Sequence, residues 1–187
     1  MIRLRGVLGS VNLDVGRGEI VVLTGEPRGT SALLRVMAGL EPATGGSVTL
    51  DGTVAFADGW LAPGDELTAG EYMNFALGRR LGNDASALAE RAQLRASMPL
   101  RTLGPDERVR LSIACALASR RDAILLDAPI APCFVEWITD VQRDGSAVVI
   151  AGPVPEPAFA HARVLRLSGG RLEAAFAPMR TLAGVTP

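Results

Sequence analysis

The stretch Gly25-Glu26-Pro27-Arg28-Gly29-Thr30-Ser31 lies where a phosphate-binding loop is expected, between a strand-like apolar run at residues 19–23 and a helix-like segment at residues 32–40. Such a loop has the pattern G-x-x-x-x-G-K-[ST]. Its backbone N–H groups surround the phosphates, its lysine contacts them and its hydroxyl holds Mg²⁺. Here three residues separate the glycines instead of four, and Thr30 replaces the lysine. The surroundings predict the loop, while its own residues predict impaired phosphate binding.

The composition is that of a globular chain without the charge that nucleic-acid binding requires. The 187 residues include 48% hydrophobic and 21% charged residues, and the formal net charge is −1. Because nucleic acids and acidic membranes are bound largely through positive charge, we expect no nucleic-acid partner. The longest apolar runs are far shorter than the roughly 20 residues that cross a bilayer, so we expect no direct membrane insertion. All 19 basic residues are arginine, and no lysine elsewhere replaces the missing one.

The cysteines and the single histidine give little support to disulfide or metal chemistry. Cys115 and Cys133 lie in no C-x-x-C motif, and His161 has no second histidine to join it. We interpret the two cysteines as small core side chains of a protein in a reducing compartment. We expect no metal site built on His161, because such sites need several ligands.

Hydrophobic periodicity predicts antiparallel strands at both ends of an alternating strand–helix region. The predicted strands are residues 2–7, 11–15, 47–51, 123–127 and 146–150, with a terminal hairpin of residues 163–167 and 171–176. The predicted helices are residues 32–40, 67–81, 85–98, 105–119 and 134–143. This order predicts an α/β core, an antiparallel β subdomain and a short helical insertion.

Six collinear segments resemble the nucleotide-binding domain of ATP-binding cassette (ABC) transporters. They are Gly18-Glu-Ile-Val-Val-Leu23, Leu33-Leu-Arg-Val-Met-Ala-Gly-Leu40, Pro42-Ala-Thr-Gly-Gly-Ser-Val-Thr-Leu-Asp-Gly52, Leu67-Thr-Ala-Gly-Glu-Tyr72, Arg108-Val-Arg-Leu-Ser-Ile-Ala-Cys-Ala-Leu-Ala118 and Ile124-Leu-Leu-Asp-Ala-Pro129. The resemblance implies an α/β P-loop NTPase core of the ABC ATPase type. We expect a single domain over residues 1–187, with its core at about 1–57 and 120–177, its helical insertion at about 58–119 and a C-terminal tail at 178–187.

The resemblance also implies a vestigial nucleotide-binding loop. Its residues would be Gly25, Arg28, Gly29, Thr30 and Ser31, with Ser31 matching the hydroxyl that binds Mg²⁺. Arginine binds phosphate bidentately, so Arg28 is a candidate phosphate clamp, although we favour an exposed loop arginine. Pro27 removes an N–H donor, Glu26 adds negative charge, and no aromatic residue precedes Phe56 to stack on adenine.

The catalytic positions that the resemblance implies are mostly altered. Asp127 matches the Walker B aspartate, so Ser31 and Asp127 would be the metal ligands if Mg-nucleotide binds. Ala128 replaces the glutamate that polarises the attacking water, and Ala151-Gly152-Pro153 stands where the switch histidine is expected. The glutamine that links Mg²⁺ to the membrane partner is missing. Asp58 near its position is a candidate metal ligand, although we favour a solvated loop aspartate.

The family signature L-S-G-G-Q, which holds ATP on the opposing subunit, is also absent from its expected place. Leu103-Gly-Pro-Asp-Glu107 stands there and predicts an ordinary helix start, with proline in the first position and acids in the first turn. Leu167-Ser-Gly-Gly-Arg171 is close to the signature in letters, but it follows the Walker B strand and separates two predicted strands. We interpret it as a hairpin turn.

These features predict a degenerate ABC subunit, a pseudo-ATPase that binds ATP and Mg²⁺ weakly or not at all. The first hypothesis is a structural or regulatory component of a membrane ABC transport assembly. Its partners would be a transmembrane permease subunit, another ABC nucleotide-binding subunit, or both, and it would be cytoplasmic or peripheral at the inner face of the cell membrane. Residues 67–71 favour it, because the family couples to membrane helices through that region. The alternatives are a free-standing scaffold or regulator and a weak ATPase that uses Arg28 and Asp127.

Overall fold

Two β-sheets organise the chain in the computed structural model, which describes residues 1–61, 66–78, 84–154, 159 and 161–175. The strands are β1 (Ile2–Val7), β2 (Val11–Val15), β3 (Ile20–Gly25), β4 (Ser47–Leu50), β5 (Val54–Ala57), β6 (Ala123–Asp127), β7 (Ala147–Ala151), β8 (Arg163–Ser168) and β9 (Arg171–Ala174). The α-helices are α1 (Pro27–Met37), α2 (Ala69–Ala76), α3 (Asp84–Arg91), α4 (Pro105–Ala118) and α5 (Val135–Arg143). Leu100–Thr102 and Pro132–Phe134 form short 3₁₀ turns.

The larger sheet is mostly parallel and the smaller sheet is antiparallel. The larger sheet has the strand order β5-β6-β7-β3-β8-β9, in which neighbouring strands are parallel except for the final β8–β9 pair. The smaller sheet has the order β2-β1-β4, with antiparallel pairing throughout. This architecture confirms the predicted α/β fold with antiparallel strands at both ends.

Side chains alternate between two apolar cores on the two faces of the larger sheet. In β6, Ile124 and Leu126 join the core that contains α2, α3, α4 and α5, while Leu125 joins the core that contains α1 and the smaller sheet. Because both faces are covered, the central strands are apolar at nearly every position before their carboxyl ends, as expected for a parallel sheet. Asp127 follows the alternation of Leu125, which directs it towards the face that α1 covers.

The carboxyl ends of the parallel strands meet at one edge of the larger sheet. β3 ends at Gly25, β6 at Asp127 and β7 at Ala151, and Asp58 directly follows β5. Open α/β sheets bind their ligands in the crevice outside this edge. The fold therefore places Gly25, Asp58, Asp127 and Ala151 along the same edge of the larger sheet.

Two predicted helices are shorter in the structure than in the sequence analysis. The helix predicted at 67–81 starts at Ala69, because the Thr68 side chain caps it in a capping box with Glu71. It ends at Ala76, and positions 79–81 lie outside the described residues. The helix predicted at 85–98 ends at Arg91, because Gln93 adopts a left-handed conformation with φ of 56°. The remaining positions to Met98 are not helical.

Apart from the helix predicted at 32–40, which the structure has at Pro27–Met37, the other predicted elements are confirmed to within one or two residues. These include the helices at 105–119 and 134–143, and the terminal hairpin, whose predicted last residue Phe176 lies outside the described residues, as does the predicted tail at 178–187. Within the described ranges, no helix combines the length and apolarity that crossing a membrane requires.

Candidate functional site

The segment that we expected to form a glycine-rich loop is almost entirely helical. Gly25 ends β3, Glu26 is the N-cap residue, and α1 begins at Pro27. The Thr30 N–H donates to the Glu26 carbonyl oxygen at 3.0 Å, as in a continuous helix. Our prediction that the helix starts at residue 32 is therefore wrong by five residues. The physical reason is that proline favours the first helical position, and the shortened spacer leaves one residue for a loop.

The two glycines of this segment are required by packing against β8. Gly25 has a φ of +112°, and a Cβ added there would lie 2.1 Å from the Leu167 carbonyl oxygen. A Cβ added at Gly29 would lie 2.9 Å from Cδ2 of Leu167. β8 therefore approaches the end of β3 and the first turn of α1 so closely that only glycine fits at Gly25. Leu167 was not among the predicted site residues, because nothing in its sequence neighbourhood indicates this contact.

Ser31 and Asp127, which are 96 residues apart in the chain, meet at this edge of the sheet. The Ser31 hydroxyl donates a hydrogen bond to Oδ1 of Asp127 at 2.9 Å. The side chain of Thr30, at the position of the missing lysine, is buried, and its hydroxyl donates to the Pro27 carbonyl oxygen at 3.0 Å. Both hydroxyl groups of the first turns of α1 are thus satisfied within the protein.

A cavity of about 360 Å³ lies between the first turn of α1 and the ends of β3, β6 and β7. Among the described residues that line it, Asp127 is the only ionisable one. Arg28 is exposed on the first turn of α1 and does not line the cavity, so the exposed position that we favoured is found, although on a helix and not on a loop.

Asp127 lies in an environment that disfavours its charged form. Burial raises the pKa of its carboxyl group, and the nearby charge of Asp58 raises it further. The hydrogen bond from Ser31 and the positive charge of Arg35 act in the opposite direction on this pKa. The sequence analysis missed Arg35. Its position four residues after Ser31 was the available signal, because residues four apart lie on the same helix face.

Asp58 is held by its neighbours and is not the solvated loop aspartate that we favoured. Its side chain is 21% exposed, and Oδ2 lies 3.3 Å from Nη2 of Arg35. Oδ1 accepts a hydrogen bond from the backbone N–H of Trp60 at 2.9 Å. Across the described residues, no group of three or more His, Cys, Asp or Glu side chains is placed to hold a metal ion.

The residues at this edge do not fit a polyphosphate. Pro27 has no N–H, and Thr30 N–H is used within the helix, which leaves Arg28 and Gly29 as the first-turn donors of α1. No described cation lines the cavity, and the carboxylate of Asp127 would repel phosphate oxygens. A phosphate-binding loop presents several convergent N–H groups and a lysine, whereas this helix start offers the N–H groups of Arg28 and Gly29 and no cationic side chain in the described cavity lining.

A second close backbone contact lies directly after β7. Gly152 has a φ of +143°, and a Cβ there would lie 2.7 Å from the carbonyl oxygen of Ala128. No side chain fits at Gly152 without moving this backbone, so the centre of the Ala151-Gly152-Pro153 segment cannot carry a histidine. Ala128 itself is buried.

The two glycine-containing segments that resemble a signature have ordinary structural roles. Gly104 is the N-cap residue of α4, Pro105 is its first residue, and Gly104 N–H donates to Oε2 of Glu107 at 2.9 Å. Gly169 and Gly170 form the turn between β8 and β9, with φ values of 54° and 76°. Both interpretations from the sequence are confirmed.

The cysteines are free thiols, and Cys115 is partly buried against the apolar core. Burial raises the pKa of the Cys115 thiol to about 12, so it is protonated near neutral pH. Cys133 is partly exposed, and its pKa is raised by burial, while the charge of Arg110 lowers it.

Comparison with known proteins places the chain in a family. The sequence model of the family described as "ABC transporter" matches residues 8–131, which is more than half of the chain. The chain belongs to the ABC transporter family. Membership of this ABC family confirms the resemblance that the six collinear segments indicated.

Several curated ABC proteins are similar in sequence. An aliphatic sulfonates import ATP-binding protein SsuB of Cupriavidus necator H16 is 31% identical over 198 residues, covering 90% of this chain and 63% of that protein. SsuB 2 of Burkholderia cenocepacia HI2424 is 33% identical over 193 residues, covering 88% of this chain and 69% of that protein. The chain therefore spans about two thirds of the length of these ABC relatives.

Solved structures of ABC proteins share the fold at lower sequence identity. An ATP-binding subunit of an ABC transporter aligns with a TM-score of 0.76 and 18% identity, covering 93% of this chain and 88% of that chain. A dimeric ATP-binding cassette in a post-hydrolysis state, bound to ADP and Pi, aligns with a TM-score of 0.74 and 20% identity, covering 92% of this chain and 97% of that chain. These likenesses support the ABC ATPase fold.

Proposed function

We propose that this chain is a degenerate ABC nucleotide-binding-domain-like subunit that does not hydrolyse ATP and has a structural or regulatory role in a membrane ABC transport assembly. The observation that carries the proposal is the start of α1 at Pro27, which replaces the phosphate-binding loop with a helix. Gly25, Arg28, Gly29, Thr30 and Ser31 are then a vestigial nucleotide site. Ser31 and Asp127 are metal ligands only if Mg-nucleotide binds, and their mutual hydrogen bond supports a structural role for the pair.

The expected rate of hydrolysis is low on general grounds. Loss of one preorganised donor costs roughly 10²–10³ in rate, and loss of a general base costs roughly 10²–10⁴. Either loss alone would bring a typical turnover of about 10 s⁻¹ down to roughly 0.1 s⁻¹ or less. Thr30 replaces the lysine and Ala128 replaces the glutamate, so both losses apply here.

We propose that the partner is a transmembrane permease subunit, another ABC nucleotide-binding subunit, or both. The chain would then be cytoplasmic or peripheral at the inner face of the cell membrane. The curated relatives are named as import ATP-binding proteins, which supports a role in transport. Trp60, which follows β5, is 69% exposed, and Phe75 on α2 is 66% exposed. Exposed aromatic side chains are typical anchors of protein interfaces. They lie in or next to the helical insertion, the region through which the family couples to membrane helices.

We also propose that residues 1–187 form one domain, with a core at about 1–57 and 120–177 and a helical insertion at about 58–119. The packing supports this proposal, because both apolar cores draw on residues from the two halves of the larger sheet.

The first test of the proposal measures phosphate release by the purified chain with Mg·ATP, alone and with its co-purified membrane partner. We expect turnover below about 0.1 s⁻¹, unchanged by Asp127→Asn. ATP binding measured by calorimetry is expected to be weak or undetectable. Turnover near 1 s⁻¹ that disappears in Asp127→Asn would contradict the proposal, and so would low-micromolar ATP binding that Arg28→Ala abolishes.

The second test addresses the partner. The tagged chain is purified from its native membranes as wild type, as Trp60→Ser with Phe75→Ser, and as the matched control Leu40→Ser, which alters a 60% exposed leucine outside the insertion. We expect a polytopic membrane protein to co-purify with the wild type and the control and to be lost from the double variant.

The alternative function is a free-standing pseudo-ATPase scaffold or regulator. Its supporting observation is that Asp58, close to the position of the coupling glutamine, is engaged by Arg35 and by the Trp60 N–H. Under this alternative, the wild type would co-purify with no membrane protein, and the aromatic substitutions would make no difference.

A further inference from the structure

The cavity at the carboxyl edge of the larger sheet has the chemistry of a cation site. We propose that it binds a small organic ammonium ion, with the charged group against Asp127 and an apolar body against the cavity wall. The inference rests on the proposed function, because a site that held Mg·ATP would not be free for this ligand. The proposed ligand of the vestigial site is a cation, whereas ATP is an anion.

The first argument is the charge around the cavity. Asp127 is the only ionisable residue among the described residues that line it. The nearby cation, Arg35, already lies 3.3 Å from Asp58 and 3.8 Å from Glu41, so its charge is more than balanced by these two carboxylates. The local charge is therefore negative, which favours a cation over the phosphate that the fold usually binds.

The second argument is the direction of the hydroxyl groups. Three hydroxyl side chains line the cavity, and each has a single hydrogen to donate. Thr24, Thr30 and Ser31 donate theirs to the carbonyl oxygens of Leu165 and Pro27 and to Oδ1 of Asp127, at 3.2, 3.0 and 2.9 Å. The hydroxyl oxygens therefore have only lone pairs left to offer. A ligand must therefore donate hydrogen bonds to contact these hydroxyl groups, as an ammonium group does with its three N–H groups.

The third argument concerns the carboxylate itself. Ser31 occupies Oδ1 of Asp127, and within the described residues no other hydrogen bond to this carboxylate is present, although two oxygens provide about four acceptor positions. A partly buried carboxylate with vacant acceptor positions is costly, and a bound cation would relieve that cost.

The fourth argument separates an organic cation from a divalent metal. Magnesium takes about six oxygen ligands in a near-octahedral arrangement, whereas the described lining offers one carboxylate and no second acidic or histidine side chain. Leu23, Pro27 and Pro153 form apolar wall, and a volume of about 360 Å³ accommodates a short alkyl chain. The cavity therefore suits an alkylammonium ion better than a bare metal ion.

The test titrates the full chain with three compounds that share a butyl chain and differ in their polar group: n-butylammonium, n-butanol and n-butyl phosphate. Binding is followed by amide NMR, with the signals of Ser31 and Asp127 as the local reporters. We expect n-butylammonium to bind at least about tenfold more tightly than n-butanol, because a charge-assisted hydrogen bond contributes about that much. n-Butyl phosphate is expected not to bind at this site.

Two variants assign the effect to the carboxylate. Asp127→Asn keeps an acceptor for Ser31 but removes the charge, so the n-butylammonium affinity should fall about tenfold while n-butanol is unaffected. Asp106→Asn makes the same change on α4, outside this cavity, and should alter neither affinity. Equal binding of n-butylammonium and n-butanol by the wild type would overturn the inference without any variant.

A competing titration with Mg·ATP separates the inference from the proposed function. Low-micromolar Mg·ATP binding that displaces n-butylammonium would overturn both. Preference for n-butyl phosphate, or no binding of any of the three compounds, would overturn this inference and leave the proposed function to the ATP and turnover measurements.

Discussion

The starts of α1 and α4 share a proline in the first position but differ in their capping and in the charges of the first turn. Both helices begin with proline, Pro27 in α1 and Pro105 in α4, so each lacks one N–H donor at its first position. In α4, the first turn contains Asp106 and Glu107, and Glu107 accepts the N–H of Gly104. In α1, the N-cap residue makes no side-chain hydrogen bond and the first turn has no acid.

Under the proposed function, the difference corresponds to two ways in which an anion site is lost from one fold. At α4, the protein's own carboxylates occupy the positive end of the helix, so an added anion would be repelled. At α1, Leu167 of β8 packs tightly against Gly25 and Gly29 beside the cavity, and Pro27 offers no N–H. The first change is electrostatic and the second is steric. Substitutions at the two helix starts should therefore change the free energy of unfolding by different amounts and with different dependence on pH.

The largest effect is expected from Gly25→Ala at the α1 end. The added Cβ would meet the Leu167 carbonyl oxygen in a backbone conformation that favours glycine, so the free energy of unfolding should fall by about 2–5 kcal/mol. Gly39→Ala is the control, because Gly39 also has a positive φ, +72°, but nothing lies within 4 Å of the added Cβ. It should cost about 1–2 kcal/mol. Urea unfolding measures both, and equal losses would show that packing against β8 does not matter.

The next effect is expected at the start of α4. Glu107→Gln weakens the charge-assisted hydrogen bond to Gly104 N–H, and we expect the free energy of unfolding to fall by about 1 kcal/mol. Asp106→Asn removes the same charge one residue earlier, where no cap is formed, and should cost less, about 0.3–0.5 kcal/mol. A larger loss for Asp106→Asn than for Glu107→Gln would mean that the capping bond is not what stabilises this helix start.

A smaller effect of opposite sign is expected from Asp127→Asn. The pKa of Asp127 is raised in the folded protein, so its contribution to stability is lost as pH rises from the unfolded pKa, near 4, through the folded value. The asparagine variant does not ionise and still accepts from Ser31. It should therefore melt at a higher temperature than the wild type at pH 7, and the difference should shrink towards pH 4. A difference that does not vary with pH would contradict the raised pKa.

The smallest effect is expected from Arg28→Ala. Arg28 is exposed on the first turn of α1, with no ion pair among the described residues, so the free energy of unfolding should change by less than about 0.5 kcal/mol. ATP titration should give the same result for the variant and the wild type. A loss of ATP affinity in Arg28→Ala would restore a phosphate role for this end of α1.

Most of the fold could be predicted from sequence because its signals are local. β1, β2 and β6 have the predicted bounds, since alternating or continuous apolar residues bounded by turns define them. The start of α4 was also correct, because glycine, proline and two acids in succession are a local helix-start pattern.

The start of α1 could not be predicted in the same way, although it contains the same proline signal. The family pattern led us to treat residues 25–31 as a loop, and this outweighed the local preference of Pro27 for a first helical position. The contact with Leu167 joins residues about 140 positions apart, and no local pattern carries such information. The role of Arg35 was missed for a related reason, because its neighbour Asp58 lies 23 residues later in the chain, at the end of another strand.

The position of β3 in the larger sheet has a consequence for how the chain is made. β3 lies between β7 and β8, and Val22 pairs with Val164, about 140 residues later in the chain. At ribosomal rates of 5–20 residues per second, about 7–28 seconds pass between synthesis of these two residues. Until β7 is made, which takes most of that interval, the apolar run Ile20-Val-Val-Leu23 has neither of its native neighbours. The emerging chain therefore carries an unpaired, aggregation-prone strand, which is a natural target for a chaperone at the ribosome exit.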